Sequence, residues 1–149
     1  MKKFAILLIS ILLMSCASSS TVTTLVGDND ILNYKYVVFG TEDEGDAELA
    51  DILMLVQNDI SKKLQVVSSE KARTLIHQGE HILTPRINVK TEKWDGGHTY
   101  ITITFYDYYT NQAVLVVKSS GIGMTVSHDQ DIALGAIRKE LQKVFGKKE

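Results

Sequence analysis

The sequence predicts an α+β domain, a two-layer sandwich with helices packed on one face of a mainly antiparallel sheet. Apolar residues recur at helical spacing in two long segments, 49–60 and 132–145. Residues 100–107 instead alternate strictly between two faces, as in a half-buried strand, and turn residues separate them from strand-like segments on both sides. These observations predict the element order β-α-β-α-β-β-β-α.

The first predicted elements are a strand and a long helix. Residues 35–39 are β-branched and aromatic and are followed by Gly40, which favours a strand. The acidic loop 41–46 then leads into a helix, because anionic side chains stabilise a first helical turn. The apolar stripe of this helix comprises Leu49, Ile52, Leu53, Val56 and Ile60. Its width predicts packing against a sheet.

A short strand and a short helix are predicted next. Residues 64–67 form a brief apolar segment. Ser68 or Ser69 is expected to cap a helix that ends just before Gly79.

Three strands joined by short turns follow. Residues 82–90 form the first, in which Pro85 lacks an amide hydrogen and is therefore expected at a sheet edge or a bulge. The turn residues of segment 94–98 predict a hairpin to the second strand, 100–107, and a further turn leads to the third, 113–117. The core-facing side chains of the second strand are expected to be Ile101, Ile103 and Phe105.

A final helix closes the predicted domain. Residues 119–123 are expected to loosen the chain, and Ser127 or Asp129 is expected to cap the helix. Its buried stripe is predicted to comprise Ile132, Ala133, Ala136, Ile137, Leu141, Val144 and Phe145.

The N-terminal residues have the charge and length of an export signal. Lys2 and Lys3 precede an apolar run, 4–14, which only Ser10 interrupts. This run is shorter than the ~20 residues that a transmembrane helix needs. The pattern therefore predicts a signal peptide that is cleaved.

The segment Leu13-Met14-Ser15-Cys16 resembles the lipobox of bacterial lipoproteins. The resemblance implies cleavage after Ser15, a diacylglycerol on the sulfur of Cys16 and acylation of the new amino group, with fatty acids such as palmitate. Several acyl chains hold a protein stably on a membrane. Ala17 follows the cysteine where Asp would favour retention in the inner membrane, so the resemblance implies the outer membrane. The domain is expected in the periplasm, and exposure at the cell surface stays open.

The chain is therefore predicted to comprise a cleaved signal peptide, 1–15, a lipidated N-terminus and tether, 16–33, and a single α+β domain, 34–149. Residues 21–26 fit either an edge strand or more tether. Removal of the leader lowers the 16 basic residues to 14 against 18 acidic ones, a net charge of −4. A mildly acidic domain has no electrostatic attraction to nucleic acid, so no such partner is expected. With the only cysteine acylated, neither a disulfide nor a thiol nucleophile is expected.

The predicted element order resembles that of small α/β modules in envelope lipoproteins and of the TolB N-terminal domain. The segments that support this resemblance are 36–39, 49–60, 68–79 and 100–107. It implies an interaction module and transfers no functional residue.

Two groups of residues suggest metal ligands but lack the necessary spacing. His77 and His81 lie four apart, as zinc ligands on a helix can, but Gly79 between them is expected to end the helix. The acidic segments 28–30 and 42–46 do not follow the alternating ligand order of a calcium-binding EF-hand loop. Exposed loop residues explain both groups better, and no metal is expected.

Two further groups resemble fragments of catalytic or phosphate-binding motifs. The glycines of segment 121–123 precede a helix, but the third glycine of a dinucleotide-binding loop and the lysine of a P-loop are absent. Ser127, His128 and Asp129 are adjacent, and adjacent residues cannot face one another as a catalytic triad does. Neither group predicts an enzyme activity or a cofactor.

The strongest candidate surface contains aromatic residues near one face of the predicted sheet. Aromatic side chains with polar ends are enriched at protein interfaces, and an antiparallel sheet can leave one face uncovered. A solvated face with ordinary strand propensity is the alternative. The candidate interaction residues are Trp94, Tyr100, Tyr106, Tyr108 and Tyr109.

Two classes of function remain. The first is a membrane-anchored interaction module that binds another envelope protein. The second is a small periplasmic enzyme or ligand-binding protein whose site combines distant residues such as His98, Asp107 and His128. The first class is favoured, because no pair or triad has catalytic spacing.

Overall fold

The computed structural model describes residues 17–27, 30–40, 49–92 and 97–146. These residues form a six-stranded sheet, three α-helices and a short 3-10 helix. The strands are β1 (Ser18–Leu25), β2 (Tyr34–Val37), β3 (Gln65–Val66), β4 (His81–Glu92), β5 (His98–Asp107) and β6 (Ala113–Ile122). The helices are α1 (Ala50–Ser61), α2 (Ser69–His77) and α3 (Val126–Phe145), and the 3-10 helix is Ile31–Asn33. None of the helices in these residues has the length and apolar character needed to cross a bilayer.

The sheet is mixed, with the strand order β1-β6-β5-β4-β2-β3. The predicted antiparallel succession of β4, β5 and β6 is confirmed. Strand β2 instead runs parallel to both of its neighbours, β3 and β4. Helices α1 and α2 connect these strands and return the chain in the same direction, so the sheet is less antiparallel than expected.

An additional strand precedes the predicted order. Strand β1 pairs antiparallel with β6, from Ser18 opposite Ile122 to Leu25 opposite Leu115. The strand alternative for residues 21–26 is therefore the one observed, and it begins earlier, within the segment expected to be tether. All eight residues of β1 are exposed. An edge strand of Ser and Thr has little apolar patterning, which explains why the sequence left it undecided.

The main core lies between α1, α3 and one face of the sheet. Ile101, Ile103 and Phe105 are fully buried, as predicted from the alternation in β5. The ring of Phe105 packs edge-on against that of Phe145 from α3, with centroids 5.4 Å apart. Between the two helices, buried Asp59 accepts hydrogen bonds from Lys62 at 2.8 Å and from Arg138 at 2.6 Å. Burial acts to raise the pKa of Asp59, but the two cations outweigh it and hold the pKa below its ordinary value.

Helix α2 packs on the opposite face of the sheet, so the expectation that all helices share one face is wrong. The second core cluster consists of Val38, Val67, Ala72, Leu75 and Ile82. Ile82 belongs to this cluster, whereas its neighbour Leu83 belongs to the main core, because successive residues of a strand point to opposite faces. The cap expected at Ser68 is confirmed, since its Oγ accepts from the amide of Lys71 at 3.2 Å.

Pro85 lies in a part of β4 that no longer pairs with β2 on one side. Ladder pairs join β2 to β4 only as far as Leu83, whose carbonyl accepts from the amide of Val38 at 2.9 Å. The backbone nitrogen of Pro85, two residues further on, points to the same side of β4 as the carbonyl of Leu83, beyond the last described pair with β2. Strand β4 lies between β5 and β2 and is not an edge strand of the sheet, but Pro85 lies at a local edge, beyond the last described pair of β2 with β4.

The junction of β6 and α3 differs from its prediction in two ways. Strand β6 continues to Ile122 instead of loosening after residue 117. Thr125, not Ser127 or Asp129, is the N-cap of α3, and its hydroxyl accepts from the amide of His128 at 3.2 Å. Asp129 is completely buried and accepts a hydrogen bond from the amide of Gly123, ahead of the helix. Asp129 therefore holds the loop between β6 and α3 against the first turn of α3.

Glu140 links α3 to the edge strand. It is buried and accepts hydrogen bonds from the hydroxyl groups of Thr21, at 3.2 Å, and Thr23, at 2.9 Å. The hydrogen bond from Lys143 lowers the pKa of Glu140, burial opposes it, and the two threonines add to the lowering. Thr21 and Thr23 of β1 are thus hydrogen-bonded to the helix as well as paired with β6.

Candidate functional site

Among the described residues, no helix covers one face of the sheet over most of strands β4, β5 and β6. We call this surface the open face; its residues are Arg86, Asn88, Lys90, Tyr100, Thr102, Thr104, Tyr106, Val116, Lys118 and Ser120. They alternate with the core residues along each strand, which places them all opposite α1 and α3. Register aligns them in rows, such as Lys90, Tyr100 and Ser120.

The aromatic residues of the open face differ in their surroundings. Tyr100 is 39% exposed, and its ring lies 6.1 Å from that of His98. Tyr106 is half-buried, with the guanidinium of Arg86 4.8 Å from its ring centroid, within the range of a cation–π contact. Both rings therefore offer an apolar surface with a polar end to an approaching molecule.

The other predicted aromatic residues lie off the open face. Tyr108 packs against the second core cluster, beside α2. Tyr109 is 78% exposed in the turn after β5. Trp94 lies outside the described residues. The structure therefore brings Tyr100 and Tyr106 onto one surface and leaves Tyr108 and Tyr109 at its end.

The open face also carries cations, which are absent from the predicted set of interaction residues. Arg86, Lys90 and Lys118 are exposed there. Lys90 donates to Glu92 at 2.7 Å, and this hydrogen bond raises the pKa of Lys90 and lowers that of Glu92. Alternation within segment 82–90 could have placed Arg86 and Lys90 on this face, and continuing the alternation of segment 113–117 by one residue could have placed Lys118 there.

A separate polar cluster lies at the end of β5, around Asp107. One oxygen of Asp107 accepts from the amides of Tyr109, at 3.0 Å, and Thr110, at 2.8 Å. The other accepts from the hydroxyl of Tyr34 at 3.0 Å. Burial of Tyr34 and its bond to Asp107 raise the pKa of Tyr34 to about 12. Asp107 therefore fixes the β5–β6 turn and orients a buried tyrosine.

The dispersed site of His98, Asp107 and His128 is not assembled. His98 and Asp107 are the first and last of the ten residues of β5, about 30 Å apart at the usual rise of a strand. His128 lies in the first turn of α3, at the His98 end, and its Nδ1 accepts from the amide of Met124 at 3.4 Å. Each residue has local partners, so the three do not form a common site.

The remaining motif fragments have structural roles. His81 is exposed and packs beside Tyr34, with ring centroids 5.3 Å apart, while His77 ends α2. Within the described ranges, no group of three His, Cys, Asp or Glu residues could hold a metal ion. Asp30 caps the 3-10 helix through the amide of Leu32 at 3.0 Å, and segment 42–46 lies outside the described residues.

Comparison with known proteins identifies structural likeness only. No family model matches the chain, and no curated sequence does. A PelC dodecamer from Paraburkholderia phytofirmans has a TM-score of 0.52 at 12% identity, over 88% of this chain and 100% of that one. A variant of that dodecamer has a TM-score of 0.54 at 15% identity, over 87% and 100% of the two chains. A PDZ domain protein from Parabacteroides distasonis has a TM-score of 0.52 at 13% identity, over 94% of this chain. The chain spans only 39% of that protein's length. At these identities the likeness extends to the fold alone.

Proposed function

We propose that the chain is a lipoprotein of the cell envelope, anchored through Cys16 in the outer membrane, and that its domain is a periplasmic protein-interaction module. The anchor is supported by the charged, apolar leader and by the residues around Cys16. The interaction role is supported by one observation above all. The open face places Tyr100, Tyr106 and three cations on a surface that no described helix covers.

The chemistry of the open face suits a partner with acidic groups. Tyr and Arg are enriched among the residues that contribute most to binding, because they bury a large apolar area and retain a polar group. Arg86 stacks on Tyr106, which orients the guanidinium for a carboxylate. Lys118 lies opposite Thr102 in the middle of the same face. We therefore expect an envelope protein that presents carboxylates beside apolar side chains.

A second copy of the chain is another candidate partner. The two PelC structures, of one protein and its variant, are dodecamers, and this is the reason to include a second copy of this chain among the candidate partners. Strand β1 is the edge of the described sheet, and an edge strand can pair with a strand of another molecule.

Cross-linking in cells, followed by mass spectrometry of proteins captured on the tagged chain, tests the interaction. The double substitution Tyr100→Ser and Tyr106→Ser should weaken capture while the circular dichroism spectrum stays that of the wild type. Lys118→Glu should weaken it as well, because it reverses a charge on the open face. Lys139→Glu is the matched control, since Lys139 is an exposed lysine of α3 in the other layer.

The outcomes separate the possibilities. Equal capture by the wild type and the folded double variant would contradict the role of the open face. Capture of a differently tagged copy of the chain would identify self-assembly, and light scattering would then give its size.

A further inference from the structure

We propose that strand β1 holds the domain directly on the membrane, with one defined end of the sheet against the lipid headgroups. This inference rests on the lipid anchor proposed at Cys16. We call this end the membrane rim; its described residues include Ala17, Gly97, Gly123, Met124 and Thr125.

The length of chain between the anchor and the fold supports this orientation. Only Ala17 separates Cys16 from Ser18, and Ser18 is already paired with Ile122. Two residues span at most about 7 Å. The headgroup layer on each side of the hydrocarbon core is itself about 5 to 8 Å thick. While β1 stays paired, the membrane rim therefore has no tether that could lift it clear of the headgroups.

Strand β1 has contacts that keep it paired. Its eight residues form a continuous ladder with β6, and Val26 continues it by donating its amide to Val114 at 2.9 Å. The side chains of Thr21 and Thr23 are also bound to Glu140 of α3. These contacts fix the direction in which the chain leaves the anchor.

The register determines which residues share the membrane rim. Ser18 lies opposite Ile122 in β6, and Gly121 lies opposite Thr99 near the start of β5. Met124 follows in the loop to α3, and its side chain is 77% exposed at this end of the sheet. On a membrane this side chain would be buried, because a thioether side chain can lie at the boundary between headgroups and acyl chains.

The proposed orientation also exposes the open face to partners. The strands run away from the membrane rim, and β5 alone extends about 30 Å. Tyr109 therefore lies at the far end of the sheet, away from the lipid. The open face therefore extends away from the membrane along the strands, and a periplasmic protein can reach it.

Tryptophan fluorescence in vesicles tests the orientation. The lipidated full chain is reconstituted into vesicles of phosphatidylethanolamine and phosphatidylglycerol, with and without brominated acyl chains. Trp94→Phe removes the only native tryptophan. In that background, Met124→Trp introduces the fluorophore at the membrane rim, and Tyr109→Trp introduces it at the far end as a matched control.

An interfacial side chain lies about 5 to 10 Å into the boundary with the acyl chains, so bromine should reduce the emission of the Met124→Trp protein about twofold. The emission of the Tyr109→Trp protein should not change. A long Gly/Ser insertion between Ala17 and Ser18 should abolish the difference, because it releases the domain while keeping the anchor.

Flotation with the vesicles separates the two proposals. A protein that floats but shows no quenching of the Met124→Trp fluorophore, or more quenching of the Tyr109→Trp fluorophore, overturns the orientation and leaves the anchor intact. A protein that does not float overturns the anchor and the orientation together.

Discussion

Helix α3 packs so closely against strand β6 at Gly121 that the addition of a single methyl group there should force the helix and the strand apart. A Cβ at this position would lie 2.7 Å from the backbone nitrogen of Ala133 and still closer to the carbonyl oxygen of Asp129. Both are backbone atoms of α3 and cannot rotate away. The backbone of Gly121 does not have a positive φ, so Gly121→Ala introduces a steric conflict and no conformational strain.

Relief of this conflict requires α3 to move away from the sheet. Ala133, Ile137 and Leu141 of α3 are fully buried and would lose contacts in that movement. Overpacking a close-packed core typically costs about 1–3 kcal/mol. We expect Gly121→Ala to lower the free energy of unfolding by about 3 kcal/mol. This is a large part of the ~5–15 kcal/mol by which a domain is usually stable.

Gly135 provides the matched control for this prediction. It lies within α3, and a Cβ there would meet no atom within 4 Å. Gly135→Ala should therefore increase the free energy of unfolding by about 0.8–1 kcal/mol, the helix preference of Ala over Gly. Equilibrium unfolding in urea of the chain that begins at Ala17, followed by circular dichroism, measures both changes. Equal stabilities for Gly121→Ala and the wild type would refute the packing argument.

Three further substitutions test contacts of the fold. The pKa of Glu140 is lowered in the folded state, so its contribution to stability is present above the ordinary glutamate pKa of about 4.3 and is lost as the pH falls below it. Glu140→Gln should flatten this acid slope in urea unfolding measured at several pH values. The pKa of Tyr34 is raised to about 12, so its contribution is present below the ordinary pKa of about 10 and is lost as the pH rises towards 12. Tyr34→Phe should remove this alkaline slope and, by leaving Asp107 without a buried donor, cost about 1–3 kcal/mol at neutral pH. Gly97 has a φ of +84° and a Cβ there would clash with the Asp129 carboxylate, so Gly97→Ala should lower the melting temperature, with a cost of at least about 1–2 kcal/mol.

Periodicity in the sequence correctly identified the elements whose packing is local. The alternation in β5 placed Ile101, Ile103 and Phe105 in the core. The stripe of the first helix placed Ile52, Val56 and Ile60 there. In such elements, the same side chains that set the pattern also supply the buried surface.

The side of the sheet that a helix covers was not predictable in the same way. Helix α2 has only a short apolar stripe, and which face it covers depends on the connection between two parallel strands. The sequence similarly predicts that Gly121 loosens the chain, whereas in the structure it lies in close contact with residues of α3 that are eight and twelve positions away. A glycine required by a tertiary contact has no local pattern.

The candidate site was predictable in part. Alternation placed Tyr100 and Tyr106 together, but the stacking of Arg86 on Tyr106 required the register between β4 and β5. The bond between Tyr34 and Asp107 joins residues 73 positions apart. Such pairs depend on strand order, which a single sequence does not contain.

The anchoring of this domain to a membrane through Cys16 is a proposal that both the interaction module and the membrane orientation depend on. Metabolic labelling of cells with a palmitate analogue, followed by purification of the tagged chain, tests it most directly, with Cys16→Ser as the control. We expect label on the wild-type chain and none on Cys16→Ser. A wild-type chain that is exported but takes up no label would contradict it.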